Sequence, residues 1–164
     1  MRKIISLSFL TVSLCFFSCF KKDTGCSYQN DTSVAPAAET QTVKNYLDSV
    51  GVAATLHSGG FYYNIINAGS GTAPGPCSRV TVSYTGKLTN GNTFIQQTNA
   101  LFTLGGLLPG WKQGLPLISK GGQIELYVPP SLGYGSTPQY DNSGNLLVPA
   151  NSILIYNIDL VNVQ

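Results

Sequence analysis

Charge and reactive side chains are scarce in this chain. Of its 164 residues only 10% are Asp, Glu, Lys or Arg, and it has one histidine, one tryptophan and four cysteines. Beyond His57 no imidazole remains to activate a serine or cysteine, which argues against a hydrolytic triad. After that residue the only acidic side chains are Glu125, Asp141 and Asp159. None is paired in sequence, so a two-carboxylate mechanism has no local signature. There is no G-x-x-x-x-G-K-[ST] loop to cradle phosphates. Distant cysteines with one histidine make a poor zinc site, so neither metal nor cofactor is expected. A basic stripe is also missing. The formal net charge is +2, but without Arg2 and Lys3 the basic count is 9 − 2 = 7 against 7 acids, and nucleic acid is not an expected partner.

What the chain does carry begins at its N-terminus. "MRK" precedes the apolar run "IISLSFLTVSLCFF". A positive start before a short apolar stretch reads as an export signal, too short for a comfortable membrane span. A retained anchor helix is the competing reading. "FFSC", residues 16–19, resembles a bacterial lipobox, with an apolar residue three places before Cys19 and a small one just before it. Cys15 fits less well because bulky Leu14 precedes it. Cleavage before Cys19 would leave a thiol for acylation, and two or three chains at roughly 0.8 kcal/mol per buried CH₂ give stable anchoring. "CFKKDTGC" also resembles the start of lipoproteins from the Bacteroidota. Residues 1–18 are thus read as a signal peptide. The mature chain is read as an exported lipoprotein on the outer membrane, facing periplasm or cell exterior; ordinary secretion with an incidental cysteine is the alternative. In that oxidising setting Cys26 and Cys77 are expected to form a disulfide, against the alternative of two isolated thiols.

Residues 19–35 are polar and turn-rich and read as a flexible tether. Residues 36–57 read as a helical extension. Pro36, Glu39 and Gly51 punctuate a helix, and Val43, Leu47 and Val50 recur at helical spacing. From residue 58 to 164 the pattern turns to strands. Val80, Val82 and Tyr84 alternate with Thr81 and Ser83. Ile124, Leu126 and Val128 alternate with Glu125 and Tyr127, and Leu154, Tyr156, Ile158 and Leu160 oppose Asn157 and Asp159. Period-two runs between Gly/Pro turns indicate an antiparallel sheet with one buried face. Asn90-Gly91 marks a hairpin turn. "LLPGWKQGLPLISKG" can hold one short helix from near Trp111 to Gly121, strained by Pro116. One helix against one antiparallel sheet is an α+β domain. No internal repeat is present.

The order of the motifs carries more than the composition. "VTVSYTGKLTNGNTF", "FTLG", "LLPGWKQGL", "QIELYVPPSLGYG" and "VPANSILIYNIDL" resemble, in succession from about Gly59 to Val163, the FKBP-type peptidyl-prolyl cis-trans isomerases. The resemblance implies a twisted antiparallel sheet wrapped around one short α-helix, with an apolar pocket between them. Matched residue by residue, Trp111 would be the pocket floor, and Tyr84, Phe94, Leu107, Val148 and Tyr156 its walls. The Leu108 N–H and the Tyr134 hydroxyl would donate to substrate carbonyls, and Phe102 would support the site. X-Pro isomerisation crosses a barrier of roughly 18–20 kcal/mol without a covalent intermediate, so it needs a dry pocket and a few donors more than acids and bases.

Two departures from the family pattern stand out. The family usually has Asp after the pocket Phe, where this chain has Ile95, so the pocket carboxylate is absent. A further family aromatic is replaced by Ala100 or Leu101. The segment 135–147 reads as a long, mobile rim. The leading expectation is an exported isomerase or folding assistant, with turnover reduced by Ile95. It would act as a monomer on proline-containing polypeptides and bind macrolide inhibitors. A binding or chaperone module without useful catalysis is the second reading, and a purely structural envelope lipoprotein the third.

Overall fold

The computed structural model describes residues 25–164. The expected signal peptide and the lipidation site Cys19 lie outside the described residues. Helix α1, Ala37–Val50, starts after Pro36 and stops where Gly51 turns left-handed (φ 70°). There the Val52 N–H donates to the Leu47 carbonyl (3.0 Å), closing the helix end. Val43 and Leu47 are buried, whereas Val50, expected on the same face, is exposed.

Six strands form one antiparallel sheet in the order β1-β2-β5-β8-β3-β4. They are β1 Thr55–Leu56, β2 Tyr62–Asn67, β3 Arg79–Leu88, β4 Thr93–Thr103, β5 Gln123–Val128 and β8 Leu154–Val163. The small hairpin β6 Gln139–Tyr140 with β7 Leu146–Val148 stands apart. Asn90-Gly91 makes the β3–β4 turn, with Gly91 at φ 86° and the Asn92 N–H held by the Asn90 side chain (2.9 Å).

Alternation along β3, β5 and β8 sends Val80, Val82, Ile124, Leu126, Val128, Leu154, Tyr156, Ile158 and Leu160 into one core. Helix α2, Pro109–Gly114, packs over that face with Trp111 turned into it. The architecture is the α+β arrangement expected, but the helix is shorter and earlier. Pro109 occupies its first turn, and Pro116 falls in a following 3₁₀ turn, Leu115–Leu117. A ring without an N–H cannot continue the α-ladder, so the segment to Gly121 is not one helix. The opposite face of the sheet is not simply polar. Tyr62, Tyr127 and Ile155 pack there against Val43 and Leu47 of α1, a second and smaller core.

Residues 26–35 also differ from a free tether. Cys26 and Cys77 are joined in a disulfide (Cα–Cα 5.9 Å). Asp31 pairs with Lys112 across 2.6 Å, and the buried Ala35 donates its N–H to the Gly59 carbonyl (2.9 Å). Most polar side chains of this segment are exposed, but the Asp31 carboxylate is spent on partners within the domain.

Candidate active site

Between α2 and the concave side of the sheet lies an apolar cavity of about 170 Å³. Its floor is Trp111, only 4% exposed. Rings from two strands meet it edge-on: Tyr84 of β3 at 4.9 Å and 86°, and Tyr156 of β8 at 5.1 Å and 83°. Strand alternation explains the convergence. Tyr84 pairs with Ile158 and lies two residues from Gly86, which pairs with Tyr156, so both rings project from one face. Edge-to-face packing sets a positive ring edge against a negative ring face, and each pair contributes about 0.5–1.5 kcal/mol beyond its area burial. Ile95, Phe102, Leu107, Leu108 and Tyr134 complete the lining.

Gly86 makes the wall possible. A Cβ there would lie 2.6 Å from Phe94 Cζ, 2.7 Å from Ile95 Cγ2 and 2.9 Å from Tyr156 Cε1. Phe94 does not line the cavity itself but backs Tyr156 edge-on at 5.8 Å. Val148 is likewise in the core cluster, 1% exposed, rather than on the cavity surface. Ala100 pairs with Val82, and Leu101 is exposed; neither lines the cavity.

Leu108 precedes α2, and its carbonyl accepts from the N–H groups of Trp111 (2.9 Å) and Lys112 (3.0 Å). Its own N–H donates to no other backbone group among the described residues, as befits the orphan donors at a helix start. The pocket is electrically quiet. Burial pushes the Tyr156 phenol far above its ordinary value, helped by the Tyr134 hydroxyl beside it and by Tyr84. Burial also raises Tyr84, again with help from Tyr134. Every phenol lining the cavity whose titration is shifted is therefore held neutral, a donor rather than a base.

A larger groove of about 550 Å³ runs between α1 and the β3–β4 turn. Its lining mixes Glu39, Asn90, Asn151 and Ser152 with Pro130 and Pro149, and no aromatic side chains converge there. The smaller, aromatic cavity is the better chemical site. His57 is elsewhere, stacked on Phe61 at 4.4 Å with Nδ1 accepting the Gly59 N–H. The expected mobile rim is partly ordered as the β6–β7 hairpin. Its turn is tied by Asp141, whose Oδ1 accepts from the Ser143 and Asn145 N–H groups (both 2.8 Å).

The profile of the FKBP-type peptidyl-prolyl cis-trans isomerases matches residues 71–161, more than half of the chain. The chain belongs to that family. The isomerase FkpA of Escherichia coli K12 is 37% identical over 111 residues, covering 65% of this chain and 39% of FkpA. The outer membrane protein MIP of Legionella longbeachae is 37% identical over 109 residues, 64% of this chain and 45% of MIP. The chain thus spans less than half the length of these relatives. The crystal structure of E. coli FkpA superimposes with a TM-score of 0.65 at 33% identity, covering 78% of this chain and 61% of that one. That of AtFKBP13 gives 0.62 at 25% identity, covering 68% and 99%.

Within this FKBP-type domain, all eight residues that line the cavity are among those singled out in the sequence, as are Phe94 and Val148 behind them; the contacts of the segment before α1 are not. Neither Tyr28, packed on Gly105, nor Asp31, paired with Lys112, was singled out. The expected Cys26–Cys77 link was the one signal that the segment before α1 stays on the domain. Among the described residues no helix is long and apolar enough to cross a membrane.

Proposed function

We propose that residues 58–164 form an isomerase domain that accelerates cis–trans exchange of X-Pro bonds in exported polypeptides, with residues 36–57 as a helical extension packed on its sheet. The observation that carries this reading is the apolar aromatic cup: Trp111 with Tyr84 and Tyr156 perpendicular to it, and no charged group in the lining. A prolyl ring fits an apolar floor, and an amide twisted out of plane loses the resonance that water-exposed, polar surroundings favour. In this reading the Leu108 N–H and the Tyr134 hydroxyl donate to the flanking carbonyls, with Phe94 and Val148 backing the walls. Each tenfold gain in rate requires about 1.4 kcal/mol of such differential stabilisation.

Ile95 favours the second reading, a binding or chaperone module with weak turnover, because a branched alkyl group stands where a pocket acceptor is usual. A protease-coupled assay on a proline peptide separates the two. The expected result is measurable acceleration by wild type and a faster rate for Ile95→Asp. A wild-type rate equal to the uncatalysed one, with Ile95→Asp active, selects the binding module. Macrolide binding at the same cavity is read from Trp111 fluorescence. The relationship to MIP, by name an outer membrane protein, supports an envelope location, and the lipobox-like "FFSC" carries the lipoprotein reading of Cys19. The test is the mass of the mature N-terminus, where Cys19→Ser should abolish acylation. The same preparation, sized by light scattering, is expected to be monomeric.

A further inference from the structure

We propose that residues 26–35 form a brace behind the isomerase pocket, with Asp31 as the positioning residue that fixes α2 and through it the Trp111 floor. The proposal rests on the functional reading above for its effect on catalysis, but not for its effect on Trp111. Helix α2 has only six residues, too few to hold its own shape by internal hydrogen bonds. Its geometry is therefore set by what it touches. On one side Gly110 and Gly114 lie against Val128 and Leu126 of β5. On the other side lies the brace.

The contacts fall on the residues that matter for the cavity. Asp31 Oδ2 accepts from Lys112 Nζ at 2.6 Å. Its Oδ1 accepts from Gln113 Nε2 (3.0 Å) and from the Ser33 N–H (2.9 Å). Gln113 Nε2 also reaches the Ser33 carbonyl at 2.8 Å. Lys112 and Gln113 directly follow Trp111, so one carboxylate holds the two residues that come after the pocket floor. Farther up the brace, the Tyr28 ring lies where a Cβ of Gly105 would be. Gly105 belongs to the 3₁₀ turn Leu104–Gly106 that leads straight into Leu107 and Leu108. The brace thus touches both stretches of chain that frame the cavity from behind. It is itself tied at each end, by the Cys26–Cys77 disulfide and by the Ala35 N–H on the Gly59 carbonyl.

The Asp31 side chain is 9% exposed and that of Lys112 22%. Such a pair is screened little by solvent, and removing one partner leaves the other half-buried and unmatched. Burial alone would raise the Asp31 carboxyl, but Lys112, the Ser33 amide and Gln113 outweigh it and hold it well below the usual carboxylate range.

The test uses the mature, disulfide-intact chain with Asp31→Ala, Asp31→Asn and Asp31→Glu. Asp48→Ala, which removes the exposed Lys44–Asp48 pair on α1, is the control. Because Trp111 is the only tryptophan, its indole N–H gives a single NMR resonance that needs no ligand. With Asp31→Ala that resonance should shift and its hydrogen exchange should rise about tenfold, while the folded fraction stays unchanged. KM for a proline peptide should rise up to about tenfold with a smaller change in kcat, the expected signature of a displaced floor. Asp31→Glu should restore both readouts, and Asp48→Ala should alter neither. If Asp31→Ala does not fold, the milder Asp31→Asn gives the same comparison. A lowered Tm with the indole resonance and its exchange as in wild type would overturn the brace as a positioning device. An inactive wild type would count against the isomerase reading alone, and the indole signal would still decide the brace.

Discussion

The seating of α2 can be probed by adding a single carbon to its contact with the sheet. A Cβ on Gly114 would lie 2.8 Å from both methyl carbons of Leu126, and one on Gly110 would lie 2.7 Å from Val128 Cγ1. Both neighbours are fully buried, so neither has free space to move into. Non-bonded carbons prefer about 3.5–4.0 Å, so Gly114→Ala demands roughly 0.7–1.2 Å of displacement. Two effects compete. Alanine favours a helix over glycine by about 0.8–1.0 kcal/mol. Overpacking a close-packed core costs about 1–3 kcal/mol. The clash wins, and Gly114→Ala should destabilise the domain by up to ~2 kcal/mol, with Gly110→Ala similar. The displaced helix should also carry Trp111 out of its edge-on contacts and weaken proline-peptide binding. Urea unfolding followed by Trp111 emission measures the first effect, and peptide titration the second. Gly75→Ala is the control: it has open space and ordinary φ, and should gain about 0.4–1 kcal/mol. If Gly114→Ala is more stable than wild type and binds peptide equally well, the helix has slack and the seating argument fails.

Three further outcomes follow from the geometry. Breaking the Cys26–Cys77 bond with a paired Cys→Ser variant frees a loop spanning 51 residues, worth about 4 kcal/mol on chain entropy. The urea midpoint should fall accordingly, and a loss under ~1 kcal/mol would mean that non-covalent contacts alone hold the segment. Asp31 keeps its charge in the fold at pH values where the unfolded chain takes up a proton, so its stabilisation is complete above its ordinary value of 3.8 and fades as pH falls toward the lower folded value. Asp31→Asn should flatten that acid limb in pH-dependent unfolding, and an unchanged limb would remove Asp31 as its source. Finally, with the Tyr84 and Tyr156 phenols raised above 10 and no carboxylate in the lining, the isomerisation rate should be flat between about pH 5 and 9. Ile95→Asp should add an acid limb, and a bell-shaped wild-type profile would refute the uncharged mechanism.

The strands were legible because burial is periodic. Val80, Val82, Ile124, Leu126, Leu154 and Ile158 alternate in sequence and all fall in one core. The end of α2 was not legible from motif spacing, since the α-helix stops at Gly114 and Pro116 belongs to a separate 3₁₀ turn. Tyr127 sits in sequence beside Glu125 on what reads as a polar face, yet it is 3% exposed because α1 covers it. Its hydroxyl donates to Glu125 at 2.6 Å, so a polar pair is consistent with burial. Residues 26–35 escaped for the same reason in stronger form. Asp31 and Gln113 are 82 residues apart, and nothing local says that they satisfy each other. Local polarity reports whether a side chain needs a partner; it does not report whether the partner is water.

Ile95 joins the two levels. In the sequence it is only a missing carboxylate. In the structure it pairs with Gly86, lines the cavity, and its Cγ2 would meet any Cβ placed on that glycine. The position is therefore a filled wall, and an aspartate there would have to be matched by a donor to offset the cost of burying its charge. The phenols of Tyr84, Tyr134 and Tyr156 also line the cavity, and each carries a hydroxyl that can donate. The cavity thus offers hydroxyl donors and an indole floor, with no carboxylate in its lining. If this cavity takes a prolyl segment as proposed, binding should depend mainly on shape and desolvation, and turnover on how firmly the rings around Trp111 are held.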